Sequence, residues 1–473
     1  MYPSPARVLA VLLLCGCTFG CAGKHNKPPE NNLRAAVVET DITAPVGYRM
    51  AGYFEERLST GVHDPLKAKA IILQQGSEKI AFVFCDLIGI SLDVSTKARQ
   101  RASEKTKIPF KNILIAATHS HTGPLFDDTR AKYFHQAAVD QFGRDPRETI
   151  DYSGFLEKKV VDLICEANEK LEPAGVEVFI APQDGLAFNR RYHMKNGKVV
   201  FNPGQLNPNI ERPAGPTDPT VSVLLLRDRH RALRGGLTVF AMHPDTVGGT
   251  LYSADYPYYL QETLRQNLET NYVSAFAVGP CGDLNHIKVA VKEQVKGLEV
   301  AQRLGITLGK TVLAQIQNAE ALKNPEFAVR SETNLVPFQT ITPALLADAR
   351  KKISTLDDPR ADFMAKVEAV KTLDLADKGS SWPMEVQVFR LDSETAIVGL
   401  PCEIFVELGL AIKAASPFKK TIVMSICNDR PSYVPTKKAF AEGSYEVTNA
   451  RVKPGVGETL VDTAVKLLRE IKP

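Results

Sequence analysis

The body of the chain has no apolar stretch of eighteen or more uninterrupted residues, so nothing in it has the length of a membrane-spanning helix. It also lacks an excess of charge of one sign. A formal net charge of +4 over 473 residues, with Lys and Arg interleaved among Asp and Glu, leaves no basic stripe, and no nucleic-acid partner is expected. Cysteine pairs at CxxC spacing are missing, which excludes a zinc cluster built from cysteine. Beyond the first thirty residues Cys85, Cys165, Cys281, Cys402 and Cys427 remain, an odd set at wide spacings that makes no disulfide framework. They are expected to be buried small hydrophobes, with one or two disulfides left open. No low-complexity linker and no repeat of fixed period is present. What is there is a globular composition, 44% hydrophobic and 24% charged, long enough for one large domain or two packed halves.

The first thirty residues stand apart. Arg7 precedes the apolar run Val8 to Leu14, followed by Cys15, Gly16 and Cys17. A short apolar segment ending in Leu14-Cys15-Gly16-Cys17 resembles the bacterial lipobox, whose last cysteine is acylated after cleavage. The expected organisation is a signal peptide over 1–16, an acylated Cys17 with a polar tether over 17–33, and a catalytic domain over 34–473. The chain would then be exported and held at the bacterial cell envelope through a lipid anchor. Cys21 is the weaker anchor, because Thr18, three residues before it, is not aliphatic. An ordinary cleaved signal peptide is the other reading.

Strand-like and helix-like patterns alternate through the body. Ala70 to Gln74 and Lys79 to Cys85 flank a Gly76-Ser77 turn, and Ser91 to Lys107 reads as a helix. Asn112 to Ala117 is a strand, Gly154 to Leu171 a helix, and Val176 to Ala181, Thr220 to Leu226 and Gly236 to Met242 are strands. Tyr256 to Asn267 is helical, Val273 to Val278 a strand, Val289 to Ala319 a long helical region, and Ala344 to Leu375 a charged helical one. Met384 to Leu391 and Thr395 to Leu400 read as a strand pair. Asn202 to Pro219 reads as a long ordered loop near a site. The expected fold is α/β, with a mixed sheet.

Four strand ends carry the residues with chemistry. Thr118-His119-Ser120-His121-Thr122-Gly123-Pro124 follows an apolar strand. Alternation along that strand would project His119 and His121 from its carboxyl end, where open α/β sheets place their sites. Imidazole is a common zinc ligand, although two hydrogen-bonded surface histidines fit the same pattern. His243 ends a second apolar run and, taken singly, reads as a structural histidine. Glu403 in Pro401-Cys402-Glu403 reads singly as a carboxylate at a helix start. Tyr433 in Ser432-Tyr433-Val434 carries no signal alone. Asp255 is either a support for His243 or a loop cap.

Taken in order, these junctions resemble the neutral/alkaline ceramidase family from about Arg34 to the C-terminus. Thr40-Asp41-Ile42-Thr43, Gly52-Tyr53 and Thr60-Gly61-Val62-His63-Asp64 resemble its opening segment. The resemblance implies a Zn²⁺ site of His119, His243, Glu403 and Tyr433. It gives His121, Arg190 and Tyr445 catalytic, substrate-side roles, and it implies hydrolysis of a linear amide C–N bond in an N-acyl, ceramide-like substrate by metal-bound water. His121, Arg190 and Tyr445 would supply donors to the developing oxyanion. The alternative is a non-catalytic metal- or ligand-binding lipoprotein with a retained pocket. The sequence implies no oligomeric state.

Two departures from the family pattern are visible. Gly282-Asp283-Leu284-Asn285 places Asn285 where the family carries a serine. A carboxamide cannot act as an acyl-accepting nucleophile, so a covalent route through it is excluded, while its NH₂ can still donate to an oxyanion. The second departure is that the helical pattern Gly455 to Ile471 follows soon after Tyr445, so the family's C-terminal immunoglobulin-like domain is not expected.

Overall fold

Strands in this chain read as unbroken apolar runs because both of their faces are covered. The computed structural model describes Met1 and residues 33–268 and 270–473. The signal segment, Cys17 and the tether up to residue 32 lie outside the described residues. A nine-stranded mixed sheet runs in the order Val273–Val278, Leu233–Phe240, Thr220–Asp228, Glu172–Pro182, Leu33–Asp41, Lys67–Gln75, Glu78–Cys85, Ile113–Ala117, with Glu320–Ala321 beside Glu172–Pro182. Pairing is antiparallel through the middle and parallel at the two ends, Leu233–Phe240 with Val273–Val278 and Glu78–Cys85 with Ile113–Ala117. A four-stranded sheet follows in the order Ala328–Pro337, Ser381–Arg390, Thr395–Gly399, Lys420–Met424.

Alternation sorts the side chains into layers. Ala81, Val83, Ile113 and Ile115 pack with the helices Leu92–Thr106, Tyr152–Glu169, Tyr256–Asn267 and Leu298–Gln315. From the opposite face Phe82, Phe84 and Leu114 meet Phe389, Ile397, Ile422 and Met424 of the second sheet. That sheet's far face, with Val386, Val388 and Val398, is closed by Leu408, Ile412, Leu460 and Leu468 of the helices Val406–Ala415 and Val456–Ile471. The result is four layers, helix on sheet on sheet on helix, which is the mixed α/β architecture expected. The described residues from 33 to 473 form a single compact unit.

Some local expectations change. The helical region over 289–319 shrinks to the helix Leu298–Gln315 and a 3₁₀ turn Ile316–Asn318. Residues 289–297 carry no continuous apolar stripe, and Gly297 at φ +125° stands at the N-cap. A helix Thr129–Phe142, capped by Asp128 and ended by a left-handed Gly143, is additional to the sequence reading. All five described cysteines are free thiols, four of them buried, so the open disulfide reading closes for the described residues. No described helix is long and apolar enough to cross a membrane.

Candidate metal centre

The end of the strand Ile113–Ala117 does not keep its pleat as far as the histidines. His119 sits at φ +71°, so His119 and His121 meet through a turn and not through strand alternation. Their Nε2 atoms are nevertheless 3.4 Å apart. The turn is clamped from below: the Ser120 and Thr122 hydroxyls donate to the Ser253 carbonyl at 2.6 and 2.9 Å. The Ser253 hydroxyl and the Ala254 N–H in turn donate to Asp64. The Thr60-to-Asp64 segment therefore serves as the foundation of the histidine loop.

His243 stands three residues past the end of the strand Leu233–Phe240, and Glu403 and Tyr433 are register partners in a two-stranded parallel ladder, Glu403–Ile404 beside Tyr433–Val434. Glu403 is thus not a helix-start carboxylate, since the helix begins at Val406. A Cβ at Gly282 would meet the Glu403 carbonyl oxygen at 2.5 Å, so any side chain at 282 would displace this ladder. Positive φ values recur around it at Cys402 (+71°), Ile426 (+57°), Asn428 (+61°) and Ser432 (+139°). Left-handed backbone at non-glycine residues costs on the order of 1–3 kcal/mol each and persists only where surrounding contacts over-determine it.

Three atoms converge. His243 Nε2 lies 3.1 Å and His119 Nε2 3.4 Å from Glu403 Oε2. A tetrahedral cation with bonds of 2.0–2.1 Å needs donor atoms about 3.3 Å apart, so these two separations suit a small divalent ion, and His119, His121 and His243 also offer ring nitrogens that lie within 4.8 Å of one another. Tautomers are fixed from behind: His119 Nδ1–H donates to the Ile88 carbonyl at 2.7 Å, and His243 Nδ1–H to those of Cys281 and Leu284 at 2.8 and 3.0 Å. Each Nε2 lone pair therefore faces forward. Burial pushes the His243 pKa down to about 4, with the charge of Arg190 adding to the effect, so the imidazole is neutral near pH 7. Burial alone would raise the Glu403 carboxyl, but His119 and His243 more than offset it and hold the group well below its ordinary value. Burial and the neighbouring Glu403 push the Tyr433 phenol well up.

Around this set stand the substrate-side candidates. His121 Nδ1–H donates to the Gly52 carbonyl at 3.2 Å with Asp245 3.7 Å away, and burial takes its pKa down to about 3. Arg190 is held by Glu446 at 2.9 Å and by the Gly282 carbonyl at 2.7 Å, and its guanidinium faces the rings of Tyr433 and Tyr445. The Tyr433 and Tyr445 ring centroids are 5.6 Å apart. Asn285 is turned elsewhere. Its Nδ2 donates to Asn202 Oδ1 and its Oδ1 accepts from the Ile287 N–H, both at 3.0 Å. Asp255 is a loop cap, accepting from the Thr246, Val247 and Tyr256 N–H groups. The orienting of His243 falls to backbone carbonyls.

The sequence reading missed Glu446, Asp245 and Lys296. Glu446 is fully buried between Arg190 and Arg191, and the consecutive arginines Arg190-Arg191 were the only local signal in the sequence. The Lys296 ammonium pairs with Asp245, and nothing in the local sequence marks that link. In front of the donor set lies a cavity of about 480 Å³ reached by His119, His121, Glu403, Tyr433 and Tyr445.

Known proteins resemble the chain in family and in fold. A family model described as neutral/alkaline non-lysosomal ceramidase, N-terminal, matches residues 34–293, more than half of the chain. The neutral ceramidase of Pseudomonas aeruginosa is 23% identical over 96% of this chain and 75% of its own length. The crystal structure of neutral ceramidase from Pseudomonas aeruginosa superposes with a TM-score of 0.70 at 19% identity, covering 93% of this chain and 74% of that one. A ceramidase complexed with C2 gives a TM-score of 0.70 at 18% identity, covering 93% and 76%. The two structural likenesses carry the fold.

Proposed function

The chain belongs to the neutral/alkaline non-lysosomal ceramidase family, and on that premise we propose that it is a zinc-dependent hydrolase of an N-acyl amide bond of the ceramide type. The observation that carries the metal part is the convergence of His119 Nε2, His243 Nε2 and Glu403 Oε2, with both imidazoles locked from behind by backbone carbonyls. Tyr433 completes the proposed ligand set. Two nitrogens, a carboxylate and a phenol are the donor chemistry of a catalytic site and not of a closed structural one. When bound, the ion polarises the amide carbonyl and acidifies water.

The remaining steps belong to the chain. With Nδ1–H given to Gly52, His121 presents the Nε2 lone pair to the cavity, able to take a proton from attacking water and return it to the leaving amine. Arg190 has Nε and Nη2 fixed on Glu446 and Gly282, leaving Nη1 to stabilise the oxyanion. Tyr445, whose phenol burial keeps protonated, is a second donor. Asn285 acts through position: it holds Asn202, whose N–H donates to the Arg190 carbonyl at 2.8 Å.

The test is fatty-acid release from N-acyl amides, including ceramide, by wild type and His119→Ala, before and after chelation. We expect release by wild type, loss on chelation, recovery with Zn²⁺, and no recovery in the variant. Turnover that survives complete metal removal would sink the zinc reading, and a metal-loaded protein that cleaves no amide would leave a ligand-binding role in its place.

We also infer an envelope lipoprotein, on the strength of Leu14-Cys15-Gly16-Cys17. Labelled palmitate is expected to enter the full-length chain in cells and to be lost in Cys17→Ser. Retention of label in that variant would contradict the anchor.

A further inference from the structure

A phenol has one hydrogen to donate, and a chain of side chains beside the metal centre fixes where that of Tyr445 goes. Tyr445 and Asn449 stand one turn apart on the short helix Tyr445–Asn449, so their side chains share a face. Asn449 is buried, and its Nδ2 donates to the Tyr445 hydroxyl oxygen at 3.3 Å.

A carboxamide can sit either way round, and here Arg451 decides. Its Nη1 donates to Asn449 Oδ1 at 2.5 Å and to Ser432 Oγ at 2.9 Å. A guanidinium has donors and no acceptor, so the Asn449 atom that faces it is the oxygen, and the NH₂ group is left for Tyr445. Arg451 is held in turn. Its Nε donates to Asp374 Oδ2 at 3.0 Å, and Asp374 also accepts from the Thr129 hydroxyl at 3.0 Å and pairs with Lys378 at 3.3 Å. The side chains of Arg451 and Asp374 are only 11% and 13% exposed, so water competes little for these bonds. Ser432, next to Tyr433 in the chain, donates to the Asn449 carbonyl at 2.7 Å, which ties the assembly to the ladder that carries Tyr433.

Donation therefore runs one way, from Arg451 to Asn449 to Tyr445, with Asp374 as the fixed counter-charge behind. The NH₂ group offers the Tyr445 hydroxyl nothing to donate to. The phenolic hydrogen is left for the cavity that Tyr445 lines together with His119, Glu403 and Tyr433. A donor already turned towards developing charge costs no reorganisation at the moment of reaction.

Resting on the amide-hydrolase reading above, we propose that Asn449 and Arg451 are positioning residues for that reaction. Acting through Tyr445, they fix the direction of its hydroxyl so that it donates to the oxyanion formed from the substrate's amide carbonyl.

The experiment uses the metal-loaded full chain and N-dodecanoyl-sphingosine in mixed micelles, with dodecanoate release giving kcat and KM, and with zinc content and denaturant midpoint measured on every variant. Asn449→Asp keeps the shape and the bond to Arg451, but its carboxylate only accepts and draws the Tyr445 hydrogen towards itself. Asn449→Leu breaks the bond to Arg451 and leaves the hydroxyl without an imposed direction. The expected falls in kcat are about tenfold for Asn449→Leu and about 10²-fold for Asn449→Asp, with KM within about twofold of wild type. In a Tyr445→Phe background, adding Asn449→Asp is expected to cost less than about a further threefold. A role in packing alone gives the reverse order, because only Asn449→Leu loses Arg451. A kcat in Asn449→Asp at or above that of Asn449→Leu, or an undiminished effect of Asn449→Asp in Tyr445→Phe, overturns the proposal while leaving the amide-hydrolase reading intact. No dodecanoate release by metal-loaded wild type overturns both.

Discussion

Glu403→Gln is expected to cut amide turnover by roughly 10³- to 10⁴-fold while leaving the fold in place. Glutamine preserves volume and one carbonyl oxygen but removes the only negative charge among the three converging atoms, whose Oε2 lies 3.1 and 3.4 Å from the two imidazole nitrogens. A bound cation supplies several kcal/mol of transition-state stabilisation, and each 1.36 kcal/mol is a factor of ten. Two neutral imidazoles and a phenol pushed well above its ordinary pKa cannot hold a divalent ion as tightly. Steady-state kinetics beside far-UV circular dichroism checks the point, since loss of activity with an unchanged spectrum separates ligand loss from unfolding.

Arg190→Met is expected to lower turnover by about 10²- to 10³-fold, the usual consequence of deleting a donor aimed at developing charge. It also removes one of two partners of Glu446, whose side chain is 0% exposed. Breaking a buried ion pair costs about 3–5 kcal/mol. With Arg191 still at 3.1 Å from the other carboxylate oxygen, the loss should fall at the low end of that range. Arg191→Met is the comparison that separates the two effects. Arg191 holds the same Glu446 but also bonds to Gly443 and Glu442, so its loss should destabilise to a similar degree with a much smaller effect on turnover. Denaturant midpoints and kcat measured on both variants decide it. Equal kinetic defects would mean that Arg190 acts only by stabilising the fold.

The elements were legible where burial on both faces left long apolar runs, as in Lys67–Gln75, Glu78–Cys85 and Thr220–Asp228. The helix Thr129–Phe142 was marked by Asp128 and Gly143 at its ends, but its buried residues are few and spaced among charges, so periodicity did not reveal it. The layering of two sheets was not legible, because a strand buried against a helix and one buried against a second sheet have the same pattern. His119, His243, Glu403 and Tyr433 could be named through resemblance, yet the convergence of the first three goes with left-handed backbone at His119 and Cys402 that pattern reading would not assign. The groups that orient them, the carbonyls of Ile88, Cys281 and Leu284, are present in every residue and leave no trace in sequence. Asn285 illustrates the converse. Its replacement of serine was visible, but only the structure shows its amide turned to Asn202.

The most direct measurement is the metal content of the purified chain by elemental analysis, wild type against Glu403→Gln at equal protein concentration. A ratio of about one zinc per wild-type chain, falling to roughly a tenth or less in the variant, is the predicted result, given the dependence of affinity on a complete ligand set. No metal in active wild-type protein, or the same ratio in both proteins, would contradict the assignment of His119, His243, Glu403 and Tyr433 as a metal centre.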